Sequence, residues 1–337
     1  MESSKRLVSF FEFYLSIMLI MSFRTVWLYT EDRTPSRIVT AATIISIVAL
    51  IAAYIVFCSP SLLTGDLVII MVVSTGIIIS MIVSTLNGNG QLLTRHLSYF
   101  ALLILLFLSY RAGRLNLLIK HFITVCCFLA ACSLFFWILA IIGVPMNSTL
   151  YISWASKYYE PIKGFFGLFY FSQDFTSFLG FYLPRNTAIF TEAPMCSFVF
   201  CLGLIFDIFI GDDDKKHKLG FREILLIVGI ISTTSTTGIM IVILTLVANL
   251  FRTVKINPLV VTVGVMLSAF VLYILWQIFL AKTTENSNSV SIRFDDLHAG
   301  IKAWLLHPFF GNGLENTLAY LPFIQGYRVV EGGNSGF

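Results

Sequence analysis

Four side chains carry most of the chemistry this sequence offers: Arg185, Glu192, Arg293 and His307. Arg185 and Glu192 belong to the stretch Pro184-Arg185-Asn186-Thr187-Ala188-Ile189-Phe190-Thr191-Glu192-Ala193-Pro194, where an aromatic region gives way to an apolar one. Glu192 falls about one turn inside the apolar segment, and an ionisable group there is costly unless paired or functional. Arg185 lies on roughly the same face if a helix begins that early, whereas Pro184 and Pro194 argue for an irregular start. Two readings stay open: an Arg185–Glu192 pair that anchors a helix, or a phosphate-binding arginine with a carboxylate that orients it or acts as a base.

Arg293 and His307 belong to a second cluster, Ser291-Ile292-Arg293-Phe294-Asp295-Asp296 through Trp304-Leu305-Leu306-His307-Pro308-Phe309-Phe310-Gly311-Asn312-Gly313. The spacing predicts a helix over 293–306, with Asp295 and Asp296 in its first turns and Pro308 as its stop. The Gly-Asn-Gly turn after it allows close approach of backbone to a ligand. This cluster is either a solvated surface helix with a turn, or a site in which Arg293 binds diphosphate or sugar. In the second case His307 is an acid or base with a pKa near the working pH.

Other chemistries are excluded. The sequence has no Gly-rich phosphate loop, zinc-protease helix or nucleophile elbow. Cys58, Cys126, Cys127, Cys132, Cys196 and Cys201 sit within or beside apolar runs without zinc-ligand spacing, so they read as buried, reduced and structural. No metal or cofactor is expected. A net charge of +4 gives no case for nucleic acid.

The elements that position these residues are dictated by composition. The chain is 57% hydrophobic and 12% charged, with mean hydropathy +0.88, too little polar surface for a soluble domain. Its apolar runs reach the ~20 residues that cross a bilayer, and in lipid such runs must be helical. The expectation is an all-α polytopic membrane bundle. Spans are placed at 7–23, 38–57, 67–86, 96–110, 121–143 and 188–210, followed by the stretch Phe221–Phe251 and a span at 258–280. The first run ends in Ser22-Phe23-Arg24-Thr25 with no small-residue cleavage site and reads as a retained span.

As one helix, 221–251 would be about 45 Å long, and its middle, Ser232-Thr233-Thr234-Ser235-Thr236-Thr237-Gly238, is a poor helix interior. Two short spans meeting at a hydroxyl-rich turn fit better, with the turn facing a cavity. About nine spans result. Lys and Arg are densest in short loops on the side of the N-terminus, which places that end in the cytoplasm, although Arg24, Arg33 and Arg37 crowd the first external loop. Two long segments then face outward. The first, 144–187, is crowded with aromatics and reads as an interfacial helix or re-entrant segment, or as a lid that stacks on sugar rings or grips a lipid tail. The second, 281–337, is polar and ends in mid-loop, as a fragment lacking C-terminal helices would.

The Arg-x-x-x-x-Phe-x-Glu-x-Pro stretch resembles the signature of the O-antigen polymerase and ligase superfamily. So do the Ser/Thr-Thr-Gly turn, Ser291-x-Arg293, and His307-Pro308-x-x-Gly311-x-Gly313 with Asn334-Ser335 downstream. The ordered set covers roughly residues 185–337. Many relatives, ligases above all, carry Arg after the serine of the hydroxyl turn, where this chain has Thr236. The pattern looks more like a capsular or exopolysaccharide polymerase of Gram-positive bacteria. The resemblance implies a metal-independent glycosyltransferase on the outer face of the cell membrane. It would move a growing glycan from undecaprenyl diphosphate onto an incoming lipid-linked repeat unit. Arg185, Arg293 and Asn334 would bind substrate, and Glu192 or His307 would be the base. Expected partners are the undecaprenyl-diphosphate-linked oligosaccharide, membrane lipid, a flippase and a chain-length regulator. The rival readings are a transporter or flippase, and a ligase of the same superfamily.

Overall fold

A computed structural model describes residues 2–60, 64–86, 93–154, 159–173, 176–178, 181–210, 219–253, 287–309, 311–313 and 316–325, with positions 262, 264, 266 and 273. The chain is mostly helical. Its helices are α1 (Glu2–Ser22), α2 (Thr34–Ala53), α3 (Thr64–Leu86), α4 (Leu93–Arg111), α5 (Leu115–Ile141), α6 (Ala193–Ile210), α7 (Phe221–Ser232), α8 (Thr236–Thr253) and α9 (Ser287–Leu306). Four stretches among the described residues are helical, long and apolar enough to cross a membrane: Thr34–Cys58, Val68–Leu86, Leu115–Ile141 and Ala193–Ile210. Leu97–Arg111 and Thr236–Arg252 are shorter apolar helices. Most of the expected span at 258–280 lies outside the described residues.

The chain divides into two compact units, Met1–Ser46 with Arg114–Ile278, and Ile47–Gly113 with Phe279–Phe337. In the first, α5, α6 and α7 pack around Ile123, Cys126, Ala130, Cys196, Phe200, Leu204, Leu226 and Ile230, all buried, with Val242 of α8. The buried cysteines are free thiols, as their apolar surroundings predict.

The first unit has two distinct ends. At one, Thr25, just past α1, bridges Phe190, just before α6. There Trp137 near the end of α5 donates to the Pro184 carbonyl at 2.7 Å. At the other, Arg114 makes a bidentate pair with the fully buried Glu12 of α1 at 2.6 and 2.7 Å. Arg222 of α7 meets Asp207 of α6 at 2.8 Å, and Arg252 of α8 donates to the carbonyls of Ile208 and Phe209, both at 3.3 Å. This is the alternation expected of helices that cross up and down.

Between α7 and α8 the chain breaks at Thr233-Thr234-Ser235, as the sequence predicts. Protein covers much of this turn, and Thr234 stays partly open. Ser232, Thr233 and Ser235 are buried, and the 185–186 segment is hydrogen-bonded to the turn. Backbone broken at that depth needs such a cover, and side chains supply it here.

The described part of the aromatic segment is not an interfacial helix. It folds into strands β1 (Ser148–Ile152), β2 (Glu160–Phe165) and β3 (Phe169–Phe171) in an antiparallel sheet of order β1-β2-β3, and a separate hairpin of β4 (Thr176–Phe178) with β5 (Phe181–Leu183). Aromatic and β-branched residues separated by the Phe166-Gly167 turn favour pleated pairing over a helix. The all-α expectation fails for this segment.

In the second unit the start of α3 pairs with the end of α4 through Asp66 and Arg111, so these helices run antiparallel. α9 starts at Ser287, earlier than the sequence suggests, which puts Asp295 and Asp296 in its third turn; it stops before Pro308, as expected. Most of its described residues are exposed, as a surface helix requires, although many of them are apolar. Its exposed residues include Phe294, Leu297, Ile301 and Trp304, while Asp295, Ala299 and Ala303 are buried.

Candidate functional site

The candidate site gathers at the end of the first unit where the α7–α8 break meets the segment leading into α6. Asn186 is the fastener. Its Nδ2 donates to Ser232 Oγ at 2.9 Å and Ser133 Oγ at 3.2 Å, and its backbone N–H donates to the Ser232 carbonyl at 3.1 Å. Its Oδ1 accepts from the Ala188 N–H at 3.1 Å, holding Ala188 at φ 49°, a left-handed conformation that L-residues seldom adopt. Asn186 thereby ties α5, α7 and the 185–192 segment together.

Arg185 points the same way. Its Nε donates to Thr234 Oγ1 at 3.1 Å and lies 3.4 Å from the Thr233 carbonyl. Thr234 itself sits at φ 52°, strained for a β-branched residue. Burial lowers the Arg185 pKa from the ordinary arginine value, and the charge of Glu192 acts to raise it. The guanidinium remains a cation, since arginine starts so high.

Glu192 is not inside the helix. The N–H groups of Met195 and Cys196 donate to its carbonyl, both at 3.2 Å, so it caps the start of α6, where a carboxylate is favoured by the helix dipole. Its carboxylate lies 3.5 Å from the Arg24 guanidinium, and the two side chains keep 26% and 39% of their surface open to solution. Arg24 in turn stacks over the Trp154 ring at 4.9 Å. The Arg185–Glu192 ion pair considered from sequence is therefore replaced by Arg24–Glu192, with Arg185 held on the turn. Gln173 completes the wall by accepting from the Ala193 N–H through Oε1 at 2.9 Å.

Two guanidiniums, one carboxylate and a helix N-terminus make a locally positive, partly exposed surface suited to an anion. Among the described residues no group of His, Cys, Asp and Glu could hold a metal ion.

The other predicted residues belong to the second unit or lie outside the described residues. Arg293 lies on α9 in the second unit, its side chain outside the described residues. His307 is exposed just past the end of the same helix. Fourteen residues of helical rise put about 20 Å between them, so they do not form one site by themselves. Asn334 lies outside the described residues.

Arg24, Asn186 and Ser133 were not legible as site residues. Arg24 stood out only as a charge on the unexpected side, and Ser133 is a lone small hydroxyl in an apolar run. No family model matches the chain, and no curated protein or solved structure matches it.

Proposed function

We propose that this chain is a membrane-embedded glycosyltransferase of the polysaccharide polymerase type, acting on a glycan carried by undecaprenyl diphosphate. The observation that carries this reading is the Arg24–Glu192–Arg185 arrangement pinned to a hydroxyl-rich helix break. The diphosphate is already a good leaving group, so the protein's task is to bind and neutralise it and to position an acceptor hydroxyl. Arg24, partly open and stacked on Trp154, is the cation that meets the phosphates; Arg185, held by Thr234, fixes the wall behind it. Glu192 orients Arg24 and accepts the acceptor proton when a phosphate displaces it from that pair. Arg293, His307 and Asn334 are carried as further substrate-binding or base residues on the sequence resemblance alone.

In this reading the bundle has about nine spans, the N-terminus is cytoplasmic, and the end bearing Arg24 faces outward. The ion-paired end with Glu12–Arg114 and Asp207–Arg222 then faces the cytoplasm, where short basic loops are favoured.

The test replaces Arg24, Arg185 and Glu192 singly, by Lys or Gln and by Ala, and examines the length of surface glycan. Accumulation of single repeat units, with Arg24→Lys milder than Arg24→Ala, supports a polymerase. Unchanged long chains in all variants refute it. Lipid-linked units trapped on the inner leaflet point to a flippase.

A further inference from the structure

We infer that the tip of the β2–β3 hairpin, Phe166-Gly167-Leu168, is a membrane-inserted wedge whose ring and side chain sit in acyl chains just beneath the headgroups. The turn itself poses the problem. Leu168 N–H donates to the Phe165 carbonyl at 3.1 Å, and Phe166 and Gly167 adopt φ 55° and 70°, the geometry of a type I′ turn. Such turns favour Asn-Gly or Asp-Gly; phenylalanine in the left-handed region is strained. The strained ring is also 67% exposed, and Leu168 beside it is 54% exposed. In water both features are unfavourable, whereas an apolar side chain projected into hydrocarbon offsets the strain.

The depth of the tip comes from its neighbours. Phe165 and Phe169 stack on Phe136 of α5, with ring centroids 5.6 and 4.6 Å away, and Phe166 approaches the same ring at 6.1 Å. In α5 the last ionisable groups other than thiols are Lys120 and His121; from Phe122 to Ile141 there are none, a run of about 30 Å that matches the hydrocarbon thickness. Phe136 lies five residues inside the end of that run, roughly 7 Å below it. The α5 residues Phe128, Phe135 and Ile138 are themselves exposed, so the tip continues a lipid-facing surface. Lys163, exposed on β2 and three residues before the tip, is placed to meet headgroup phosphates.

This wedge is independent of any glycan chemistry, yet it is tied to the site. The Tyr170 N–H donates to the Ala188 carbonyl at 3.1 Å, and Thr187 Oγ1 donates to the Tyr170 carbonyl at 2.6 Å. The hairpin's second strand is thereby hydrogen-bonded directly to the 185–192 segment.

The experiment places cysteine at Phe166, at Leu168 and, for comparison, at Lys163 in the full chain, each labelled with an environment-sensitive fluorophore. Unmodified protein gives the background from native thiols. The proteins are reconstituted in phosphatidylcholine–phosphatidylglycerol vesicles containing lipids brominated near the top of the acyl chain. Labels at positions 166 and 168 should be quenched by bromolipid and resist aqueous iodide, with the reverse at 163. Iodide quenching without bromolipid quenching at both tip positions overturns the proposal. Because two tip positions are read separately, loss of one variant to misfolding leaves the test intact.

Discussion

Replacing Asn186 by alanine should destabilise the chain by about 3 kcal/mol, and the figure follows from which groups lose partners. Ser133 Oγ and Ser232 Oγ each lose a donor, but both still donate to their own helices, to Ala130 O at 3.0 Å and Gly229 O at 2.7 Å. Losing those two bonds costs about 0.5–1 kcal/mol each, the net worth of a neutral hydrogen bond. The Ala188 N–H is different. It accompanies a left-handed φ and is buried, and Asn186 Oδ1 is the acceptor that satisfies it. An unsatisfied buried donor costs about 1–3 kcal/mol. Ser133→Ala removes a single acceptor and should cost about 1 kcal/mol or less. The two changes share a bond, so the double variant should fall short of the sum by some tenths of a kcal/mol or more. The assay is equilibrium unfolding of the purified protein in mixed detergent micelles, followed by tryptophan fluorescence, since Trp137 sits on this segment through Pro184. If Asn186→Ala costs no more than Ser133→Ala, the Ala188 N–H does not depend on Asn186 and the reasoning fails.

Other expectations concern packing and charge. A methyl at Gly238 would run into Ser197 Oγ and lie 2.9 Å from Ile230 Cγ2, so Gly238→Ala should lower the thermal midpoint by an amount equal to about 1–3 kcal/mol. Adding Ser197→Ala, which removes the nearest atom, should recover part of the loss; no recovery would mean the helices separate for another reason. Glu12→Gln leaves Arg114 without its fully buried counter-ion and should cost about 3–5 kcal/mol by the same unfolding assay. Asp32 accepts from the Thr34 N–H at 2.8 Å at the start of α2, and Thr34 holds its carboxyl below the usual aspartate value. A depressed folded-state pKa stabilises above the unfolded value and loses that stabilisation as pH falls through the folded one. An NMR titration of Asp32 should therefore show a lowered midpoint that rises towards normal in a Thr34→Pro variant, which lacks the N–H donor.

The helices were legible because their signal is one-dimensional. Runs such as 121–143 and 188–210 are predominantly apolar, and α5 and α6 appear there with ends shifted by up to six residues. The α7–α8 break was legible for the same reason, since a hydroxyl-rich tract ending in glycine is a poor helix interior at any depth. The sheet was not legible, because aromatic density alone does not separate a helix lying in the headgroups from paired strands; the decision rests on cross-strand partners such as Gly164 and Tyr170. Arg185 and Glu192 were found, and of the two readings open for them the direct ion pair is not formed. Sequence proximity suggested one helix face, whereas the carboxylate's partner, Arg24, comes from a separate element 168 positions away in the chain. No local pattern encodes that contact.

The position of the site follows from the shortness of α7. Twelve residues rise about 18 Å, well under the ~30 Å of a hydrocarbon core, so α7 alone is too short to cross one and the chain turns where it ends. Its freed polar groups must be covered, and the chain covers them with Asn186 and Arg185 from the segment that precedes α6. That cover half-buries a guanidinium, which would be costly without an anion or dipoles around it. The hydroxyl turn supplies the dipoles and Glu192 supplies a charge nearby, while Arg24 keeps Glu192 occupied at the more open rim. The helix break and the placement of Arg185 are thus one structural device. A change that relaxes the break, such as Thr234→Gly at its strained φ, should spare folding and loosen Arg185, and its effect should appear in substrate affinity before it appears in stability.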